Sequence, residues 1–373
     1  MRIGIDAHKA EDDGCGNCTY IRGLVRGLAE IDRENEYVLY VCDPGHPYFR
    51  GLALPPNFRL RRLRPRASFL RIPLALALAS RRDRLDVLHV QYIAPPCHRG
   101  RLVATIHDLG FLRVPDTFPK PFVWRSRILV RATARRATRI ITGSAHARDD
   151  IAATYRLDPA RVAFIPHGVA PEFFTPRDPA ATQRVLDAHG IRRPFILSVS
   201  RINPRKNIPL LAAAFRRLVA PPVAPSPRPQ LVLVGKPDFD SGRTMSAVSA
   251  GIGPDLIATG YVPDEDLRHL YSSAAAFVYI SLFEGAGLPV FEAMASGAPV
   301  VTTASTSMAE LAAGTAVLVD PSDEEGLARV LRRLLEDSTF RADRIAAGRR
   351  RAAELTWREA ALRTLEVYRA AAR

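Results

Sequence analysis

The sequence predicts two α/β domains, each a parallel sheet with helices on both faces. Three observations lead there. Short apolar runs alternate with helical patterns almost throughout the 373 residues. That alternation stops at a proline-rich passage and then restarts. The chain is also longer than one hydrophobic core usually organises.

In the first half the candidate strands are residues 2–7, 37–42, 87–91, 102–106, 139–142 and 162–165, with helical patterns between them at 19–32 and 124–137. Apolar strands alternating with helices imply parallel sheets covered on both faces. Pro166, Pro171, Pro176 and Pro179 interrupt the pattern, which resumes with runs at 195–200, 231–234, 256–258, 276–280, 299–303 and 316–319. Pro221, Pro222, Pro225, Pro227 and Pro229 mark an exposed loop before Leu231 rather than a domain boundary. Residues 356–373 read as an amphipathic helix, with Trp357, Ala360, Leu362, Leu365, Val367 and Tyr368 as its apolar positions.

Composition narrows the class. Hydrophobic residues make up 47% and charged residues 24%, ordinary for a soluble globular chain. No stretch approaches the roughly 18 to 20 uncharged apolar residues of a spanning helix, and MRIGIDAH does not read as a signal peptide. A cytoplasmic protein is expected. The formal net charge is +15, and residues 1–150 hold 26 Lys+Arg against 15 Asp+Glu. Such a field favours phosphates, nucleic acid or an anionic membrane. Lysine occupies only four positions, however, and an arginine bias of this kind arises from genome composition alone, which weakens the charge argument. Four cysteines do not make a disulfide scaffold in a chain this long. Cys15 and Cys18 form a CGNC of thioredoxin type, without other support for a redox enzyme. Cys42 and Cys97 read as buried small hydrophobes.

Ligands of doubly wound sheets sit beyond the C-terminal strand ends, so the loops after strands carry the information. Residues 281–297 read SLFEGAGLPVFEAMASG. The two glycines let backbone pass close to a ligand, and the helix begun at Pro289 and closed at Gly297 offers free N–H groups: a diphosphate cradle. Glu284 and Glu292 suit hydrogen bonding to vicinal hydroxyls, the first of a sugar and the second of a ribose. Glu292 is equally explained as an ordinary acid near a helix N-terminus. Residues 198–207, SVSRINPRKN, put Arg201, Arg205 and Lys206 beyond a strand end, as a bound diphosphate needs. A solvated basic turn explains them as well. His107 follows an apolar strand and precedes Asp108, suited to hydrogen-bonding a sugar or to capping the next loop. His89 reads as structural.

The Glu-x7-Glu segment and SRINPRKN together resemble the retaining glycosyltransferases of family 4, also called group 1. Ordered matches extend over nearly the whole chain: GIDAH, GCGNCTYIRGL, HVQYIAPP, ATIHDLGFLRVPDTFP, ITGSAHARDDI and IPHGVAPEFF, then LVLVGKP, TGYVPDEDL and APVVTTASTSMAEL. The resemblance implies a GT-B fold, two Rossmann-like doubly wound domains facing each other across a cleft. It implies an acceptor-binding domain over residues 1–175, a nucleotide-sugar-binding domain over 190–355, and a helix over 356–373 that packs back on the N-terminal domain.

Carried over by position, the resemblance implies catalytic roles for His107, Glu284, Arg201 and Lys206. Arg201 and Lys206 clamp the donor diphosphate, Glu284 holds the transferred sugar, and the backbone of Gly285, Ala286, Gly287 and Leu288 contacts sugar and phosphate. Glu292 binds the ribose, Tyr261 and Val262 lie near the base, and Gly235 and Lys236 flank the same cleft. Gly16 and Asn17 close over the diphosphate. Ala286 stands where the family commonly has an aromatic, and Cys15 and Cys18 flank the glycine loop unusually. The implied donor is a GDP- or UDP-sugar with no prosthetic group, and the implied transfer is of a mannose-like hexose with retention, in cell-surface polysaccharide synthesis. The acceptor would be a glycan or lipid-linked. Asp238 and Asp240, and Asp264 and Asp266, have the Asp-x-Asp form of metal-dependent transferases, but two side-chain cations already serve the diphosphate, so a metal-independent site is expected.

The arginine-rich residues 59–84 hold an apolar stretch at 69–79, and a second basic helix spans 125–136. They read either as a surface for anionic lipid, peripheral on the inner face of the plasma membrane, or as a buried helix flanked by solvated arginines. A catalytically silent nucleotide-binding partner subunit would share the folds and lose a key residue. A dinucleotide oxidoreductase lacks its glycine fingerprint here, and no recognition motif accompanies the charge to make nucleic acid a partner.

Overall fold

The computed structural model describes residues 1–222 and 224–373. It comprises two compact units. The first holds Met1–Leu112, Lys120–Gly168 and Thr356–Arg373, the second Arg113–Pro119 and Val169–Leu355.

The first unit is a seven-stranded sheet of β1 (Arg2–Asp6), β2 (Glu36–Val41), β3 (Phe58–Arg62), β4 (Val87–Gln91), β5 (Arg101–Thr105), β6 (Arg139–Thr142) and β7 (Val162–Phe164). Its order is β3-β2-β1-β4-β5-β6-β7, and every pairing is parallel. Tyr37 to Val41 are fully buried, as strands covered on both faces require. The strand order turns back between β1 and β4, the position at which such sheets leave a crevice. β3 was hidden in the sequence because FRLRR carries only two apolar residues. It is an edge strand, and Arg59 and Arg61 pair with the buried Asp83 instead of covering a core.

The helix Trp357–Ala372 packs against the helix Gly16–Ile31 in the same unit. Their approach is set by glycine. A Cβ at Gly23 would lie 2.0 Å from the Trp357 indole, and one at Gly27 would lie 2.4 Å from the Trp357 carbonyl oxygen. A third, at Gly168, would lie 2.2 Å from the Trp357 nitrogen. Only residues without a side chain admit the indole here.

The second unit is a six-stranded parallel sheet of β8 (Phe195–Val199), β9 (Gln230–Val234), β10 (Leu256–Gly260), β11 (Ala276–Tyr279), β12 (Val300–Thr303) and β13 (Val317–Val319). The order is β10-β9-β8-β11-β12-β13. Leu211, Phe215 and Leu218 of the helix Ile208–Leu218 pack with Leu327, Leu331 and Leu334 of the helix Glu324–Glu336 in one core cluster. Their spacing of four and three residues is the helical period that the sequence displays.

Cys97 corrects an expectation. It is exposed, in the loop between β4 and β5, where its carbonyl accepts a bond from Arg81. Pro96, Arg99 and Gly100 beside it are exposed as well, so it lies on the outer part of that loop while Ala94 and Pro95 face inward. Cys42 is buried as expected.

Gly23→Ala should destabilise the first unit by about 1–3 kcal/mol through overpacking against Trp357. Urea unfolding followed by indole emission measures it, and a neutral result would mean that the helix pair does not depend on this seat.

Candidate functional site

The winding of the second sheet reverses between β8 and β11, so the loops after those two strands flank its crevice. They are tied together by a buried ion cluster. Glu284 accepts from Arg205 Nη1 at 2.7 Å and from Lys206 Nζ at 2.6 Å, both on one carboxylate oxygen. Arg205 also donates to the Phe283 carbonyl at 2.7 Å, and Leu282 N–H returns a bond to the Arg205 carbonyl at 2.9 Å. Lys206 reaches the Tyr279 hydroxyl at 2.6 Å and lies over its ring. Ser307 donates to the Glu284 carbonyl at 2.7 Å, so backbone and side chain of this acid are both fixed.

Glu284 is 7% exposed. Burial alone would push its carboxyl up, but the guanidinium of Arg205 and the ammonium of Lys206 overcome that and hold it at about 2. Local sequence places the cations. Asn207 adopts φ +53°, a left-handed conformation that asparagine tolerates, and its amide donates to the Pro321 carbonyl at 2.8 Å. That kink ends the turn carrying Arg205 and Lys206 and starts the next helix.

Glu292 lies in the second turn of the helix Leu288–Ser296 and accepts from the Tyr271 hydroxyl at 3.2 Å. Burial and the neighbouring Asp264 raise its carboxyl to about 8. The two acids of the motif therefore hold opposite protonation states near neutrality, as groups with divided roles do. A line of rings joins them: Tyr279 stacks on Phe277 at 6.2 Å, and Phe277 meets Tyr271 edge-on at 5.3 Å. Gly287, at φ +65°, opens the helix, and a Cβ there would lie 2.4 Å from Met308 Sδ. Gly285, Ala286 and Leu288 form the rest of this turn, and Gly297 closes the helix at φ +87°.

The remaining second-unit candidates gather at the ends of β8, β9 and β10. Gly235 donates to the Gly260 carbonyl at 2.8 Å, and a Cβ on it would lie 1.8 Å from the Ser200 carbonyl oxygen. Ile202 N–H donates to the Lys236 carbonyl at 3.0 Å. The Lys236 ammonium sits 4.5 Å from the Tyr261 ring centroid, and Val262 is buried beside it in sequence. Arg201 Nη1 is 4.0 Å from Asp238, which also accepts from Asn203 at 3.1 Å. Lys206 and Glu284 are thus in direct contact, Glu292 is reached through the tyrosines, and Arg201 lies on the β9 side of the same turn.

In the first unit Gly16 and Asn17 open the helix Gly16–Ile31, capped by Cys15, which is disulfide-bonded to Cys18. A Cβ at Gly16 would meet nothing within 4 Å, so packing does not account for this glycine. His107 is 8% exposed, with Nε2 2.9 Å from the Gln91 side-chain amide and Nδ1 3.3 Å from His167 Nε2. Burial and the neighbouring His167 and His89 hold His107 well below its usual range, and burial lowers His167 to about 4. His107 is therefore a neutral imidazole suited to hydrogen bonding rather than to carrying charge. His89 lies within β4, bonded to Tyr368 at 2.6 Å and Thr105 at 2.8 Å.

Sequence reasoning set Arg205 with Arg201 and Lys206 as counter-charge for a diphosphate; it did not anticipate that Arg205 and Lys206 together hold Glu284 ionised. Tyr271, Tyr279, Ser307 and His167 were not anticipated, because nothing in their local sequence separates a tyrosine or serine at a site from one in a core.

Residues 18–173 match the Glycosyltransferase Family 4 model and residues 184–351 the Glycosyl transferases group 1 model. The chain is 30% identical over 291 residues to O-antigen chain mannosyltransferase B of Escherichia coli, covering 77% of this chain and 75% of that one. It belongs to the group 1, family 4 glycosyltransferases. The MMP α-(1→4)-mannosyltransferase of Mycolicibacterium hassiacum is 28% identical over 425 residues, 99% of this chain and 98% of that one. In fold, the chain is similar to the sucrose-phosphate synthase of Thermosynechococcus elongatus, with a TM-score of 0.77 at 22% identity over 99% and 98% of the two chains. The two parallel-sheet units are those of the GT-B fold. Family membership makes the chain a glycosyltransferase.

Among the described residues no three or more His, Cys, Asp or Glu are grouped to hold a metal ion, and no helix is long and apolar enough to cross a membrane. Asp264, Glu265 and Asp266 fill the first turn of the helix Asp264–Ser273, where acids complement the dipole.

Glu284 titrates near 4.5 unfolded and at about 2 folded. Its stabilisation of about 3 kcal/mol is therefore complete above pH 4.5 and lost as pH falls toward 2. Glu284→Gln should remove this acid-sensitive part and destabilise the second unit by about 3–5 kcal/mol at neutral pH, since Arg205 and Lys206 lose their counter-charge. Denaturant unfolding of both proteins across that range should show the gap narrowing with acid.

Proposed function

We propose that this glycosyltransferase moves a mannose-like hexose from a GDP- or UDP-sugar to a glycan or lipid-linked acceptor, with retention, in cell-surface polysaccharide synthesis at the inner face of the plasma membrane. The observation that carries the reading is the ionised Glu284 held between Arg205 and Lys206 beside the sheet's turning point. The mannosyl preference is supported by the names of the two mannosyltransferase relatives.

In this reading the second unit binds the donor. Glu284 accepts bonds from hydroxyls of the transferred sugar, and Arg201 and Lys206 meet the diphosphate. Pairing with Glu284 holds the Lys206 ammonium at a fixed point, so it need not reorganise as the bond breaks. Backbone of Gly285, Ala286, Gly287 and Leu288 contacts sugar and phosphate, Glu292 takes the ribose, and Tyr261, Val262, Gly235 and Lys236 lie toward the base. The first unit binds the acceptor, with His107 as a neutral hydrogen-bonding group for the sugar. Gly16 and Asn17 supply backbone donors to phosphate.

The transfer runs on one face of the sugar. The bond from the anomeric carbon to the diphosphate oxygen breaks, and its electron pair leaves with that oxygen. The acceptor hydroxyl oxygen bonds the anomeric carbon from the same face, and its proton passes to the departing diphosphate. Arg201 and Lys206 stabilise charge that is greatest in the transition state, which is where binding lowers a barrier. No metal is required in this scheme.

Lys206→Ala and Glu284→Gln should each lower kcat/KM by roughly 10²–10³, measured as sugar transfer or slow donor hydrolysis. NMR of the product should show the donor's anomeric configuration, and inversion would rule out the one-face route. Thermal shifts against GDP, UDP and their sugars decide the base.

Glu292 gives a separate expectation. Its carboxyl titrates at about 8, and ribose hydroxyls donate best to the ionised form. Nucleoside diphosphate affinity should therefore rise as pH approaches 8 and level off above it. Titration calorimetry of the native enzyme and Glu292→Gln should show this pH dependence vanish in the variant.

A further inference from the structure

Two helical segments of the first unit turn large apolar side chains outward. Across the consecutive turns Ser68–Leu70, Arg71–Leu76 and Ala77–Arg82, Phe69 is 72% exposed, and Leu70, Leu74 and Leu78 are exposed too. The three leucines recur every fourth residue and form a stripe. In the helix Lys120–Arg136, Trp124 is 70% exposed, with Phe122, Ile128 and Leu129 also outward, although Val123, Val130 and Ala134 already fill its buried face with Ser126 and Thr133. The helix therefore carries large apolar side chains beyond those its own packing needs, and a patch of this kind marks an interaction site.

Topology sets both segments on one side of the sheet. The connections β3 to β4 and β5 to β6 run in the same direction across it, and right-handed crossovers therefore lie on the same face. The connection β1 to β2 runs the other way, so the helices Gly16–Ile31 and Trp357–Ala372 cover the opposite face. The loop between β4 and β5 bridges the two apolar segments. Ser80 Oγ is 3.3 Å from His98 Nδ1, while Arg136 donates to the Pro95 carbonyl at 3.1 Å and to the His98 carbonyl at 2.5 Å.

The two segments themselves carry charge of one sign. No acidic residue occurs from 44 to 82 or from 117 to 148, whereas Arg81, Arg82, Arg125, Arg131 and Arg135 are exposed there. Just before Ser68 a cavity of about 610 Å³ is lined by Cys42, Asp43, Arg62, Arg64, Pro65 and Arg66. Outward Phe, Leu and Trp set among arginines is the composition of a helix lying in a lipid interface. An apolar protein groove would not call for so many bases.

We propose that this face docks on an anionic phospholipid surface. The leucine stripe and Phe69 enter the acyl boundary, Trp124 sits at headgroup level, and the arginines meet lipid phosphates. The proposal deepens the lipid-linked acceptor reading and rests on it for its place in the reaction. Its test needs no turnover, however, so either can fail without the other.

The test is co-sedimentation of the full chain with vesicles of phosphatidylcholine mixed with phosphatidylglycerol, or of phosphatidylcholine alone, at low and high salt. Of the two tryptophans, Trp357 is buried, so a blue shift of emission on binding reports Trp124. The chain should pellet with the anionic vesicles, salt should release it, and Trp124→Phe should remove the shift. Arg125→Gln with Arg131→Gln should weaken binding roughly tenfold or more, and Phe69→Ser with Leu74→Ser by a similar factor. All these side chains are exposed, so thermal unfolding should not change. Equal pelleting on neutral vesicles, none at low salt, or variants that bind like the native chain would overturn the proposal. So would self-association through this face without vesicle binding.

Discussion

Glu284 against Arg205 and Lys206 sets the geometry of the second unit's turning point. The two strands that flank it are paired in the sheet and far apart in sequence, and the spacing of their following loops is set by what joins one loop to the other. An acid on one loop and adjacent bases on the other provide it, with backbone bonds at Leu282, Phe283 and Ser307 locking the acid's own chain. Burial makes the arrangement all-or-none. An ionised carboxyl is tolerable there only with both cations beside it, and the cations are tolerable only with the carboxyl.

The units differ in how they arrange polar groups. Around Glu284 in the second, charge is buried and paired. Around His107 in the first, burial removes charge: His107, His167 and His89 are neutral, and they hydrogen-bond to one another, to Gln91, or to Thr105 and Tyr368. Neutral imidazoles and amides discriminate hydroxyl groups by direction rather than by attraction at a distance. Fixed cations do the opposite, favouring a diphosphate wherever it approaches. That division is what the proposed reading asks of the two units, hydroxyl groups on one and a diphosphate on the other.

Much of this was legible in the residues, and the reasons are physical. Buried parallel strands such as 87–91 are continuous apolar runs, so every strand among the described residues except β3 could be found by inspection, within a residue or two at its ends. β3 escaped because an edge strand needs little apolar surface. Gly287 and Gly297 announced the helix between them, since a left-handed residue before and after a helix leaves few choices but glycine. The candidate cations and acids were visible as residue types after strands, yet their partnerships were not. Arg205 and Lys206 are adjacent and chemically alike, and only folding shows that both serve Glu284. Tyr271 reaches Glu292 from a separate helix, and no local pattern records such a meeting. The outward apolar stretch at 69–79 was ambiguous for a related reason, because a periodicity identifies a face without saying what covers it.

The seating of Trp357 on Gly23, Gly27 and Gly168 has a consequence for how the molecule is made. Because its last helix closes the first unit, that unit stays incomplete on the ribosome until residues 356–373 have emerged, although the sheet itself is finished by residue 164. The intervening second unit, whose contacts end at Leu355, has all its parts earlier. Vectorial synthesis therefore favours closing the second unit first, with the N-terminal sheet held open along the groove that the indole later fills.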